Sequence, residues 1–165
     1  MALSFLLIIQ ANRQSFFHYK DSLNYFSIDI PIGWKYEVTK EQTGVLLLAY
    51  RTPSFKSDNS RHSVNINIIN TPTKNLDKLF ADFIKYLLNT QNYKLIATGD
   101  TTVNGTKFKW PIETYNFADI QMHEYALVTV RDGKTYILTM VSFSGTFDTV
   151  KPLFDKIASS FIFLN

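Results

Sequence analysis

The sequence predicts an α+β protein in which an antiparallel β-sheet is flanked by helices, as in an α/β/α sandwich. Two amphipathic stretches, at 76–88 and 147–161, repeat apolar residues with the helical period. Between them, 120–143 predicts a hairpin whose second strand is apolar on both faces. Such a strand must be covered on both sides, so we expect the hairpin in the middle of the sheet.

Short strands open the chain. Residues 12–24 indicate a lead-in strand, and Tyr25–Pro31 alternates apolar and polar side chains until Pro31 ends it, because proline has no N–H to donate. Further strands are predicted at Trp34–Thr39, at Val45–Tyr50 between a Glu41–Gly44 turn and Pro53, and at Val64–Ile68 with one buried face.

The first helix is predicted at 76–88, where Asn75 or Thr73 can cap the first turn. Its apolar stripe consists of Leu76, Leu79, Phe80, Phe83, Ile84, Leu87 and Leu88. A face this apolar has to be covered by the sheet.

A meander follows the helix. We expect strands at Tyr93–Thr98 and Lys107–Trp110, joined by an Asn104-Gly105 turn and followed by a break at Pro111. The strand resumes at Thr114–Phe117 and turns through Ala118-Asp119 into the central hairpin.

The hairpin turn is Arg131-Asp132-Gly133-Lys134, in which Asp and Gly can both adopt a positive φ. Its second strand places Tyr136, Leu138 and Met140 on one face and Ile137, Val141 and Phe143 on the other. In the closing helix, Phe147, Val150, Phe154, Ile157 and Phe161 share a face. Pro152 is tolerated only in a first turn, so we expect this helix to start near 149–151, with Asp148 as a possible cap.

Composition indicates one folded domain. The 165 residues are 45% hydrophobic and carry a net charge of +3. The basic residues are scattered, so we expect no nucleic-acid partner. The lack of cysteine excludes thiol catalysis, disulfides, cysteine zinc sites and a lipid anchor on cysteine in the sequence as it stands.

Residues 1–11 are set apart from the domain at 12–165. Ala2–Ile9 is apolar and Ile9-Gln10-Ala11 loosely resembles a signal-peptide cleavage site, but no basic region precedes them. The run is too short to span a bilayer. Two interpretations stay open: a signal peptide, which implies a secreted or periplasmic protein, or a buried segment of a cytoplasmic one.

Three segments carry a family resemblance. The strand from Tyr25 to Trp34 with its Pro-x-Gly-Trp ending, the Arg131–Tyr136 hairpin and the closing Ile157–Phe161 resemble PsbP-like domains over roughly 19–163. That superfamily contains a photosystem II extrinsic subunit, a Ran-binding nuclear transport factor and bacterial envelope proteins of the DcrB type. The resemblance implies an antiparallel sheet between helices, and a domain that binds macromolecules without catalysis. No metal ligand or Ran-contacting residue of the family can be carried over.

Candidate reactive groups are few. His18, His62 and His123 show no metal-ligand spacing, and His123 and Glu124 leave a strand on opposite faces. Glu124 would therefore need another partner or an exposed strand end. Around Ser142–Gly145 no nucleophile elbow is present, and no glycine-rich phosphate loop occurs. We thus predict no catalytic residues, no metal and no cofactor.

The predicted contact surface is the loop from Pro53 to His62, with Phe55, Lys56, Arg61 and His62, because long irregular loops concentrate function. Trp34 and Trp110 could stack on a ligand, but aromatic residues on strands more often fill the core. We expect a non-catalytic binding or accessory domain, exported and bound to another protein, of unknown oligomeric state. The alternatives are a small-ligand carrier or enzyme with a pocket between sheet and helix, and an intracellular chaperone-like protein.

Overall fold

The computed structural model describes residues 14–39, 45–53 and 61–165. The first five strands are β1 (Phe16–Asp21), β2 (Phe26–Pro31), β3 (Trp34–Val38), β4 (Val45–Arg51) and β5 (His62–Asn70). Helix α1 (Leu76–Leu88) follows, and then β6 (Tyr93–Val103), β7 (Thr106–Phe117), β8 (Ile120–Arg131) and β9 (Lys134–Phe143). A 3₁₀ turn (Ser144–Thr146), helix α2 (Phe147–Ser159) and β10 (Ile162–Phe163) complete the described chain.

Seven strands form the main sheet in the order β3-β4-β5-β9-β8-β7-β6, and all neighbours are antiparallel. The β8–β9 hairpin turns at Asp132 (φ 50°) and Gly133 (φ 74°). It lies between β5 and β7, so the prediction that it occupies the middle of the sheet is confirmed.

One face of this sheet carries the larger core. Leu127 of β8 and Leu138 and Met140 of β9 pack there against α2, through Phe154 and Ile157 among others. Helix α2 shares the face with a second antiparallel sheet, in which β2 lies between β1 and β10. The two halves of this layer meet where the ring of Phe26 stacks on that of Phe161, with centroids 5.6 Å apart.

Helix α1 covers part of the opposite face. Asn75 caps it by accepting a hydrogen bond from the Lys78 backbone N–H at 3.0 Å, as the sequence predicted. Its apolar side packs on Ala126, Val128 and Ile137 of the central hairpin. Helices therefore lie on both faces of the main sheet. The sandwich is nevertheless dominated by β-sheet, because the layer that contains α2, which was expected to be helical, also contains the three-stranded sheet.

The start of α2 was predicted wrongly. The helix begins at Phe147, not near 149–151, and Pro152 lies in its interior. Asp148 is in the first turn, and Thr146 occupies the N-cap position without a side-chain hydrogen bond. Burial of Phe147 and Val150 in the core stabilises the helical turn before the proline. This burial offsets the loss of the backbone hydrogen bond that Pro152 cannot donate.

The predicted break at Pro111 was also wrong, since β7 is continuous. Pro111 pairs with Thr98 of β6, but the recorded register to β8 passes from Lys109↔Val128 to Ile112↔Tyr125. Pro111 therefore lies where the recorded pairing between β7 and β8 is interrupted. Its missing N–H does not end the strand.

Three sequence predictions fall wholly or largely outside the described residues, namely the segment 1–11, the Glu41–Gly44 turn and the contact loop at 54–60. In the part of the chain that is described, no helix is long and apolar enough to cross a bilayer.

Candidate functional site

Two glutamates face each other on the α1 side of the main sheet. The β7–β8 register places Glu113 directly opposite Glu124. Glu124 lies on the same face as Ala126 and Val128, the residues on which α1 packs, because alternate residues of a strand share a face. Sequence analysis left Glu124 in need of a partner, and the structure supplies a second acid.

This carboxyl pair is poorly compensated. Glu113 is 1% exposed, and among the described residues its carboxyl oxygens have no hydrogen-bond partner other than the side chain of Glu124. Burial, and then the charge of Glu124, raise the pKa of Glu113 to about 8. Burial also raises the pKa of Glu124, which is half-buried, to about 7. Near neutral pH the pair therefore retains a proton, which Glu113 holds more tightly.

A stacked tyrosine pair adjoins the carboxyl groups. Tyr93 of β6 and Tyr115 of β7 are cross-strand neighbours, with ring centroids 4.9 Å apart and planes at 16°. Burial raises the pKa of both hydroxyls to about 12, and the negative charge of Glu124 is the next largest cause in each case. The tyrosines and the carboxyl pair are therefore one electrostatic unit.

Apolar side chains continue from the tyrosines onto the surface. Phe117 follows Tyr115 on the same face and pairs with Ile120 across the β7–β8 turn, and these two are 68% and 47% exposed. Tyr86, at the end of α1, is 67% exposed and close enough to Tyr93 to affect its pKa. We call Tyr86, Tyr93, Tyr115, Phe117 and Ile120 the aromatic end.

The strand that follows the predicted contact loop begins at this same end of the sheet. Phe55 and Lys56 lie outside the described residues, whereas Arg61 is exposed and His62 begins β5. The registers align His62 with Ser142 of β9, and Ser142 with His123 of β8, three residues from Ile120. The carboxyl end of the loop and the aromatic end therefore share one end of the main sheet.

That alignment also makes a row of polar residues which sequence analysis missed. His62, Ser142 and His123 are neighbours across three strands, and the His123 Nδ1 lies 2.9 Å from the Ser144 Oγ. The His123 ring stacks on Phe147 at 4.5 Å, and burial lowers the pKa of its imidazole. His123 and Glu124 face opposite sides of the sheet, as the sequence predicted. The row packs against the start of α2 and borders its core.

Two hollows flank α1. A groove of about 640 Å³ between the helix and β6 is lined by Phe80, Ala81, Ile84, Lys85, Leu88, Asn89, Leu95 and Thr98. A cleft of about 450 Å³ at the start of the helix contains Lys109, whose Nζ lies 2.7 Å from Asp100 and 2.9 Å from Asp77. The charges of this cleft neutralise one another in large part, unlike those of the carboxyl pair.

The tryptophans belong to the core, as expected. Trp110 packs over Gly99 and meets Tyr125 edge to face, with centroids 6.2 Å apart. Trp34 packs against the larger core. Within residues 14–39, 45–53 and 61–165, no three His, Asp or Glu side chains come together in a group that could hold a metal ion.

Comparison with known proteins gives a consistent result. The family model described as PsbP matches residues 14–163. The solution structure of cyanobacterial PsbP from Synechocystis sp. PCC 6803 superposes with a TM-score of 0.69 at 21% identity, over 93% of this chain and 95% of that one. The search of curated proteins returns no match.

Two bacterial crystal structures are also similar. A Pseudomonas aeruginosa protein of unknown function, described as a putative regulator, has a TM-score of 0.64 at 11% identity over 88% of this chain and 94% of its own. LpqN of Mycobacterium tuberculosis, described as involved in cell envelope biogenesis, has a TM-score of 0.59 at 12% identity over 93% and 91%. At such identities the likeness establishes the fold alone.

Proposed function

This chain belongs to the PsbP family, and from that membership we propose that it is a non-catalytic binding domain that docks on another protein through its aromatic end. The family includes accessory and binding proteins that are not enzymes. The observation that carries the proposal is the exposure of Tyr86, Phe117 and Ile120 around the buried carboxyl pair. Contiguous large apolar side chains on a surface mark an interaction site more often than isolated ones do.

The loop predicted from the sequence extends this surface. Arg61 is exposed at the same end of the sheet, so Phe55, Lys56 and Arg61 are proposed as the rim of the contact. His62 is proposed to border this rim from the α2 side, where its ring lies against Phe154. A polar, charged rim around an apolar centre is the usual anatomy of a protein interface.

Mutation of the apolar centre tests the docking surface. Phe117→Ser removes a side chain that is 68% exposed, whereas the matched control, Leu23→Ser, removes one that is 86% exposed in the β1–β2 turn. We expect the wild type and the Leu23 variant to retain a common protein during affinity purification from native cells, and the Phe117 variant to lose it. Titration of the purified partner should show at least a tenfold weaker Kd for Phe117→Ser. Equal retention by both variants would refute the proposal.

The rim is tested separately. Charge reversal at Lys56 and Arg61 together should weaken capture of the same partner and make it less dependent on salt concentration, because rim charges act mainly through long-range attraction. Capture that is unchanged by this double reversal would remove the loop from the interface, but not the aromatic end.

Export forms part of the proposal. It is supported by the apolar Ala2–Ile9 segment and by the involvement of the structurally similar LpqN in cell envelope biogenesis. Mass spectrometry of the amino terminus of the protein from native cells decides the matter. A new terminus after residue 11 is expected, and retention of Met1 or Ala2 at the terminus of the mature protein would contradict export.

The groove beside α1 favours one alternative, a carrier of a small apolar ligand. Its volume of about 640 Å³ is in the range of ligand sites, and Phe80, Ile84, Leu88 and Leu95 supply apolar lining. Native mass spectrometry of the purified protein distinguishes the two functions. A bound small molecule that is lost on Ile84→Trp would favour the carrier.

A further inference from the structure

We propose that Glu113 and Glu124 form a receptor for an arginine side chain, carried on an apolar segment of the partner that docks on the aromatic end. This inference rests on the proposed function and specifies the chemistry of the partner. It adds a polar anchor to a surface that is otherwise apolar.

Neither carboxyl group has a counter-charge among the described residues. The recorded ion pairs on this side of the sheet join Lys109 to Asp77 and Asp100, and no recorded ion pair in the described chain includes Glu113 or Glu124. Glu113 is 99% buried, and its carboxyl oxygens have no hydrogen-bond partner there other than the side chain of Glu124, which is itself an acid. An unsatisfied buried carboxyl is costly, and such a group in a native fold calls for an explanation.

A proton now occupies the carboxyl pair, and a bound cation could replace it. Burial raises the pKa of each carboxyl, so a proton keeps one of them neutral near pH 7. A guanidinium group that entered the site would displace this proton, because an adjacent positive charge favours the ionised form of both acids. Binding of an arginine would therefore release about one proton at neutral pH.

Aromatic rings adjoin the carboxyl pair. Tyr93 and Tyr115 stack on each other beside the pair, and Glu124, unlike Glu113, keeps part of its surface exposed. A guanidinium plane can lie against a tyrosine ring and donate two parallel hydrogen bonds to carboxylate oxygens. A lysine offers one compact charge and lacks this planar match.

A metal ion fits these residues less well. Ca²⁺ takes six to eight oxygen ligands and structural Zn²⁺ takes four ligands. No third His, Asp or Glu from residues 14–39, 45–53 or 61–165 joins the two carboxyls to form a group that could hold a metal ion. The flanking residues are instead the rings and aliphatic side chains that an apolar peptide would contact.

The test uses a blocked peptide, acetyl-Leu-Arg-Leu-amide, and its citrulline counterpart, which keeps the shape and loses the charge. NMR titration of the full chain at pH 8, with ¹³C-labelled glutamate, follows the side-chain carbons of Glu113 and Glu124. We expect saturable shifts with the arginine peptide and at least tenfold weaker binding of the citrulline peptide. The Glu113→Gln, Glu124→Gln double variant should lose this discrimination while keeping the wild-type circular dichroism spectrum.

Several outcomes overturn the inference. Equal binding of the two peptides, no binding of either, or Ca²⁺ or Zn²⁺ shifting the same carbons and excluding the arginine peptide would each do so. None of these affects capture of a partner through Phe117, so the proposed docking surface can survive when the arginine receptor fails. Conversely, the wild-type chain could bind the arginine peptide while the Phe117→Ser variant still captures the partner. That result would refute the docking surface alone.

Discussion

Glu113 stands opposite Glu124 in the β7–β8 ladder, and no basic side chain of the described residues forms an ion pair with either one. Two acids in this relationship cannot both ionise without cost, because each disfavours the charged form of the other and burial disfavours both. The stability of the fold is therefore coupled to pH through one cross-strand pair.

The first prediction is that the free energy of unfolding falls as pH rises from about 4.5 to about 8. The folded pKa values, about 8 for Glu113 and about 7 for Glu124, lie above the ordinary value of 4.5. The unfolded chain therefore loses these protons first, and stability from the pair is full below pH 4.5 and lost by pH 8. Glu113→Gln should be more stable than wild type at pH 8 by about 1 to 3 kcal/mol and equal to it near pH 4.5. Urea unfolding at pH 4.5, 6.5 and 8 measures this, and parallel pH profiles of the two proteins would contradict it.

A second prediction concerns Asn104, whose side-chain amide donates hydrogen bonds of 2.9 Å to the carbonyls of Ser159 and Phe161. These bonds tie the β6–β7 turn to the end of α2. Asn104→Ala should lower the free energy of unfolding by about 2 to 3 kcal/mol, since it leaves two carbonyls without donors and places alanine at φ 46°. Asn104→Gly adopts the same positive φ without strain. It therefore isolates the hydrogen-bond contribution to the free energy of unfolding, which we expect to be about 1 to 2 kcal/mol. Chemical denaturation that finds the glycine variant as stable as wild type would show that the bonds contribute nothing.

A third prediction concerns the contact between Gly99 and Trp110. A Cβ atom at position 99 would overlap the Trp110 Cζ2 atom, so Gly99→Ala forces the indole to move. We expect a loss of about 1 to 3 kcal/mol, the usual cost of overpacking. The matched control is Gly145→Ala, because nothing lies within 4 Å of the added methyl group there. Thermal unfolding with Trp fluorescence should separate the two variants by several degrees, and equal Tm values would disprove the clash.

A fourth prediction follows from Pro152 in the interior of α2. Pro152→Ala restores an N–H that can bond to the carbonyl of Asp148, four residues earlier, and should raise the free energy of unfolding by about 1 kcal/mol. The gain is smaller than the intrinsic preference for alanine, because the proline also restricts the unfolded chain. A destabilised variant would mean that Pro152 relieves strain in α2.

The sequence predicted those parts of the fold in which the signal is local. The Asp132-Gly133 turn, the apolar stripe of α1 and its Asn75 cap each involve residues close together in the chain, and all three are confirmed. The second sheet was missed because β10 is two residues long and pairs with β2 more than 130 positions away. No periodicity can be seen in two residues.

The carboxyl pair could have been found from the sequence. A two-residue turn at Ala118-Asp119 sets Phe117 opposite Ile120, and counting back four residues on each strand brings Glu113 opposite Glu124. The expected break at Pro111 hid this relationship, since it removed Glu113 from the strand. The position of the contact loop relative to the aromatic end, by contrast, depends on pairing between distant strands, which local patterns do not reveal.

One feature of the topology bears on biosynthesis. Strand β2, formed early in the chain, is flanked by β1 and by β10 near the carboxyl end, and Phe26 packs on Phe161. A nascent polypeptide on the ribosome cannot complete its core until Phe161 to Phe163 have left the exit tunnel. Cotranslational folding therefore stalls one strand short of the native state, and a truncation before Phe161 should yield a product that proteases clear.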